Sequence, residues 1–170
     1  PASDIAAKVA SYAEVPLTAD LSHLGEGDRK AIDLLLQAGA ITDDVFWKQV
    51  WGDKQALLAG IIDPATRRFV EINYGPWDRL DNDAPFVAGI GPRPAGARFY
   101  PEDMTKEEFE AADLPGKDSL YTLIRRDEAG KLVVVPYHEA YKAELEQVAV
   151  LLRQAAEVAS DPGFRKYLGL

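Results

Sequence analysis

The sequence predicts a mainly α fold with one small antiparallel β-hairpin, an α+β class. Three observations carry this reading. Apolar residues recur at helical spacing through most of the chain. A single pair of β-rich runs, residues 121–126 and 132–136, is joined by the turn-forming stretch Asp127, Glu128, Ala129, Gly130, Lys131. Between the helical sequence and that hairpin lies a long segment, residues 72–104, that keeps neither period.

The elements follow in order. Ser3 or Asp4 is placed to cap a first helix, whose Ile5, Val9 and Tyr12 make one apolar face. Pro16 ends that pattern, and residues 15–23 read as an extended approach. From 25 to 51 the helical period is strong, with Asp28 as the candidate N-cap and Ala31, Leu34, Leu35, Ala38, Ile41, Val45 and Phe46 in phase. Gly39 costs about 1 kcal/mol inside a helix, and Thr42 offers a second start. The phase nevertheless runs through both, which favours one long helix. Asp53 caps a short helix with Leu57, Leu58, Ile61 and Ile62 facing inward. Asp63 followed by Pro64 is an N-cap with proline at the first helical position, and Phe69, Val70 and Ile72 supply that helix's apolar side.

The segment 72–104 carries Tyr74, Trp77, Phe86, Phe99 and Tyr100 beside Asp78, Arg79, Asp81, Asn82 and Asp83. A loop of this length is uncommon in a compact domain and is usually functional or disordered. Its aromatics oppose disorder, so an ordered, irregular loop is expected. Thr105 and Glu108 then form a capping box, with Met104 and Phe109 at the staple positions. After the hairpin, residues 137–160 read as the clearest helix. Tyr141, Leu145, Val148, Leu152, Ala155 and Ala159 form its apolar seam. Asp161 and Pro162 start a last turn containing Phe164, Tyr167 and Leu168. The expected organisation is a single helical lobe or partial domain over residues 1–170, without an internal linker. The apolar close, Tyr-Leu-Gly-Leu, suggests that polypeptide continues beyond it.

With 47% hydrophobic and 28% charged residues, the chain can bury a core without covalent staples. Its net charge of −9 lacks the basic footprint that phosphate neutralisation needs, so no nucleic-acid partner is expected. No apolar run approaches the length of a membrane span. The absence of cysteine removes disulfides, thiol nucleophiles and thiolate metal sites. Pro1 is not a translation start, so a processed or truncated N-terminus is expected, compatible with export as with a cytoplasmic location; the compartment stays open.

The candidate chemical motifs are weak. His138-Glu139 is followed by Lys142 where a zinc helix needs a second histidine one turn on. Gly89-Ile90-Gly91 precedes Pro92 and Pro94, which remove the amides and the helix that a dinucleotide site requires. Asp78, Asp81, Asn82 and Asp83 miss the alternation of an EF-hand and suit turn formation better. No serine lies in a nucleophile elbow. Paired carboxylates remain open but none is singled out. No residue of this chain is assigned a catalytic or metal-binding role.

The residues themselves carry a family resemblance. INYGPWDRLDNDAPFVAGIGPRPAGARFYPEDMTKEEFE resembles a segment of dipeptidyl peptidase III-like zinc peptidases, in the branch related to the peptidase-like part of plant Nudix-fused proteins. GDRKAIDLLLQAGAITDDVFWKQVW, YTLIRR, VVVPYHEAYKAELEQVAVLLRQAA and FRKYLGL agree with it. The resemblance implies a longer, two-lobed protein with a wide cleft. It also implies zinc in the complete protein, held by a His-Glu-x-x-x-His-type motif that this chain lacks, and a peptide substrate. This chain would be the N-terminal portion, catalytically inert alone, with the rest of its own polypeptide as partner. Tyr74, Trp77, Asp78, Arg79 and Asn82 are the candidates for one wall of the cleft. The other reading of the same residues makes Tyr74 and Trp77 core anchors and Asp78–Arg79 an internal pair. A non-enzymatic binding domain using the aromatic loop is the alternative function, and an intact hydrolase using unassigned carboxylates is a third.

Overall fold

The computed structural model describes the backbone of residues 2–170 and the side chains from Asp4 onward. Helices α1 (Ala2–Ala10), α2 (Glu26–Val50), α3 (Lys54–Ala59) and α4 (Pro64–Asn73) precede a two-residue ladder of β1 (Trp77–Asp78) and β2 (Ala84–Pro85). Then come α5 (Lys106–Ala111), the hairpin β3 (Thr122–Arg126) and β4 (Leu132–Pro136), and α6 (Tyr137–Ala140), α7 (Lys142–Val158) and α8 (Pro162–Leu168). The mainly α class with a small antiparallel hairpin is what the sequence led one to expect. None of the described helices is long and apolar enough to cross a membrane. The chain divides into two compact units.

The first unit comprises residues up to Val15 together with Trp47–Pro136. Its core gathers Trp47, Leu57, Leu58, Ile61 and Val70, against which Trp51, Tyr74, Phe86 and Val87 pack. Helix starts follow the capping chemistry. Asp53 accepts from the Ala56 amide at 2.9 Å and Asp63 from the Thr66 amide at 2.8 Å. Ile62, expected inside, is 95% exposed, because α3 has already ended and the chain is turning into α4. In α1, Ile5 is buried and the Tyr12 ring meets Phe69 edge-on at 6.2 Å. The helix starts early enough that Asp4 sits in its first turn rather than capping it. The expected Ser3 cap lies outside the described side chains.

β3 and β4 pair in register from Thr122 opposite Pro136 to Arg126 opposite Leu132. Leu123 and Ile124 are buried, and the Ile124 amide donates to the Phe99 carbonyl at 2.9 Å. This bond ties the hairpin to the end of the long loop. Thr105 caps α5 by accepting from the Glu108 amide, as the capping box requires. The reciprocal contact, from the Thr105 amide to the Glu108 carboxylate, is the lesser of that carboxylate's interactions. Glu108 also holds Arg126 with both oxygens, at 2.8 and 2.9 Å, and Arg126 in turn bonds Asp103. A charge-assisted, two-pronged guanidinium contact outweighs a neutral amide. At the other end of α5, the Lys117 ammonium donates to the carbonyls of Phe109, Glu110 and Ala112.

The second unit comprises Pro16–Phe46 and Tyr137–Leu170. α2 is one continuous helix through Gly39, as the unbroken phase implied. Thr42 does not restart it. Its hydroxyl donates to the Gly39 carbonyl at 2.8 Å, inside the helix. The core is built from small residues: Ala31 and Leu34 of α2 meet Ala155 of α7 and Ala159 just beyond it, ringed by Leu35, Leu151, Val158 and Leu168. Gly27 is part of this close approach, since a Cβ there would run into the Val158 carbonyl oxygen. Asp28, expected to cap α2, lies inside its first turn. Its carboxylate accepts from the Ser160 amide at 2.7 Å and the Ser160 hydroxyl at 2.6 Å. The predicted single helix over 137–160 is interrupted. Tyr141 takes φ −119° and ψ 29°, splitting α6 from α7 while its side chain is buried. The seam is buried at Tyr141, Ala155 and Ala159 but leaves Leu145 exposed, so its two ends are used as core and its middle is not.

Candidate functional site

The loop between α4 and α5 is ordered by a small number of residues with definite jobs. Helix α4 ends at Tyr74, in the left-handed region at φ 54°, where glycine is the usual occupant. Tyrosine stands there because its ring is used: it lies 5.2 Å from Trp47, and the Arg79 guanidinium sits 5.7 Å above it. Trp77 follows in β1, 5% exposed, with its ring edge-on to Trp51 at 5.3 Å and its indole N–H donating to the Gly91 carbonyl at 2.9 Å. That bond joins the two arms of the loop. The β1–β2 ladder, pairing Trp77 with Pro85 and Asp78 with Ala84, was not foreseen. Its strands are too short to show a period of two, and only the Asp-Asn-Asp turn between them signals it.

Asp78 is 3% exposed and organises the turn. Its carboxylate accepts from the Lys8 ammonium at 2.7 Å and from the Leu80 amide at 3.0 Å. Its carbonyl takes the amides of Asp81 and Asp83. The Asp78–Arg79 pair considered from sequence does not form. Asp78 pairs with Lys8 of α1, while Arg79 is exposed over Tyr74. The hydrogen bond to the Asp78 carboxylate, and after it the contact with Asp81, raise the Lys8 ammonium above its ordinary range. Asn73, which sequence reading passed over, is the buried bridge. Its carboxamide donates to the Phe69 carbonyl at 2.9 Å and accepts from the Arg79 amide at 3.0 Å. A polar residue in phase with the buried face of α4 was the available signal. Asn82 is exposed, at φ 49°. Of the five candidate residues, Trp77 and Asp78 are buried, Tyr74 is half-buried, and Arg79 and Asn82 face solvent.

Arg93, also absent from the sequence-based candidates, holds Asp83 through one nitrogen, 3.0 Å from each carboxylate oxygen. Arg98 anchors the far arm. Its amide donates to Gln49 and its Nε to the Trp51 carbonyl at 2.7 Å, and its guanidinium pairs with Glu102. Both histidines are exposed. Among the described residues, no three His, Asp or Glu side chains come together as a metal-binding group. These side chains therefore do not fit a zinc centre, and no chemical step can be routed through zinc on them.

No family model matches the chain. Among curated proteins, Nudix hydrolase 3 of Arabidopsis thaliana is 27% identical over 219 residues, covering 92% of this chain and 28% of the plant protein. Among solved structures, dipeptidyl-peptidase III from Caldithrix abyssi superposes with a TM-score of 0.88 at 39% identity, covering 95% of this chain and 33% of that one. The dipeptidyl-peptidase III of Corallococcus sp. strain EGB superposes with a TM-score of 0.91 at 31% identity, covering 99% of this chain and 34% of that enzyme. The chain thus spans only about a third of the length of the relatives it matches. The resemblance drawn from the loop and its flanks is borne out: over nearly all its length the chain is similar to part of the larger dipeptidyl-peptidase III enzymes.

Proposed function

We propose that this chain is the N-terminal scaffold portion of a zinc-dependent, dipeptidyl-peptidase III-like hydrolase of peptides, whose zinc motif lies outside it. The observation that supports this is the superposition on dipeptidyl-peptidase III at 39% identity across a third of that enzyme. That no three described His, Asp or Glu side chains gather as a metal-binding group agrees with this reading. In this reading residues 72–104 border the substrate cleft. Arg79 and Asn82 are the members free to face a peptide. Trp77, Asp78 and Tyr74 hold the loop that carries them. The partner is the remainder of the same polypeptide.

The test is the intact gene product. It should contain a His-Glu-x-x-x-His helix after Leu170, and it should release dipeptides from a chromogenic dipeptide amide. Chelator should abolish that activity and added zinc restore it, while the 170-residue chain alone stays inactive. A full-length product without the motif, or chelator-resistant activity in the short chain, overturns the proposal.

A further inference from the structure

The loop contains an open hollow of about 550 Å³, formed entirely within the first unit. Its lining includes Asn82, Asp83, Arg93, Ala97 and Phe99. Four described non-glycine residues have positive φ, and three of them, Asn82, Asp83 and Ala97, line this one hollow. Such backbone is unfavourable for a residue with a Cβ, less so for asparagine and aspartate. Asn82 and Asp83 belong to the turn between β1 and β2, where such backbone is usual, so Ala97 is the one of the three that this turn does not explain.

The charged group in the hollow is only partly used. Arg93 reaches Asp83 through Nη1 alone, and makes no other hydrogen bond to a described residue. Its Nε and Nη2 therefore keep a fork of parallel N–H donors, the geometry that reads a carboxylate with two bonds. Arg93 keeps 30% of its side-chain surface exposed, so a ligand can reach it. A second hollow of about 350 Å³ shares the Pro94, Ala95 and Gly96 rim and is lined by Tyr100, Met104 and Phe109. A cationic fork beside an apolar recess suits a carboxylate carried next to an apolar side chain.

We infer that Arg93 and the hollow around it bind the free carboxyl terminus of a peptide, with the apolar recess taking its last side chain. Asp83 is the internal competitor, holding Arg93 in place until a carboxylate arrives. The inference leans on the cleft reading above only in naming a peptide as the carrier of the carboxylate. The site itself is tested on the 170-residue chain, independently of zinc or of any further sequence.

The probe is acetyl-alanyl-leucine, titrated calorimetrically into the full chain up to about 10 mM, a range that detects millimolar affinity. Saturable binding is expected, weakened about tenfold or more when the probe's carboxylate is amidated. Asp83→Asn removes the competitor and should tighten binding severalfold, whereas Arg93→Gln should abolish it. Arg93→Lys, which keeps the charge but loses the fork, should fall between them. Circular dichroism melts establish that each variant is folded. Failure of both the wild-type chain and Asp83→Asn to bind overturns the site, as does equal binding of the acid and the amide. In either case Arg93–Asp83 is only a brace between the loop's two arms.

Discussion

The Lys8 ammonium lies 2.7 Å from the Asp78 carboxylate, joining α1 to the heart of a loop seventy positions away. The pair is asymmetric. The Asp78 side chain is 5% exposed, while Lys8 keeps 33% of its surface. Removing the lysine strands a buried carboxylate, whereas removing both charges does not. Breaking a fully buried pair costs about 3–5 kcal/mol. With Lys8 part-exposed, Lys8→Met should cost about 2 kcal/mol in urea unfolding. The double variant Lys8→Met/Asp78→Asn should recover most of that. The pH dependence has a definite sign. Asp78 raises the Lys8 ammonium, so the pair's contribution is complete below the unfolded lysine range and is lost as pH rises through the higher folded value. Stability of the wild type should therefore fall on the alkaline side more steeply than that of Lys8→Met.

Trp77 separates anchoring from binding. Trp77→Phe keeps most of the buried ring but loses the hydrogen bond to Gly91, and should cost about 1 kcal/mol. Trp77→Ala empties a buried site against Trp51 and should cost about 3–5 kcal/mol. Thermal melts followed by near-ultraviolet circular dichroism report both, because the Trp51–Trp77 contact is itself a chiral chromophore.

Gly27→Ala sets two effects against each other. Alanine is favoured over glycine in a helix by about 1 kcal/mol. Here its Cβ meets the Val158 carbonyl oxygen, which belongs to backbone and cannot rotate away. Overpacking of this kind costs about 1–3 kcal/mol. The variant should be net destabilised, whereas Gly39→Ala, with open space around it, should be stabilised. Equilibrium unfolding of the pair decides the point, and similar gains at both sites would contradict the packing.

Arg126 should govern the acid limb. Its bonds hold Glu108 and Asp103 below the usual carboxylate range, and Ser160 does the same for Asp28. Groups with depressed values contribute stability at neutral pH that disappears as pH falls through their folded values, below the ordinary carboxylate range. Arg126→Gln should flatten that loss and speed hydrogen exchange at the α5 amides, leaving exchange in α7 unchanged.

Local chemistry made much of the fold readable. Asp53, Asp63, Thr105 and Asp161 each cap the helix that their position announced. The phase through Gly39 predicted one α2, and the β-branched runs located the hairpin. Such signals depend on neighbours a few residues away, so the chain carries them in plain order. The quoted loop segment also sufficed to identify the kind of protein this resembles.

What the sequence could not decide were the contests between local and distant partners. Asp28 is a competent cap that instead takes Ser160, and Glu108 of the capping box gives its main bonds to Arg126. Asp78 passes over its neighbour Arg79 for Lys8, and Tyr141 breaks a helix whose apolar seam runs straight through it. In each case local propensity is worth about 1 kcal/mol or less, and a charged hydrogen bond or a buried ring outweighs it. Those partners become neighbours only when the chain has folded. For that reason the aromatic loop could be recognised from its residues, while the division of its labour, with Trp77 and Asp78 inside and Arg79, Asn82 and Arg93 facing outward, belongs to the tertiary structure.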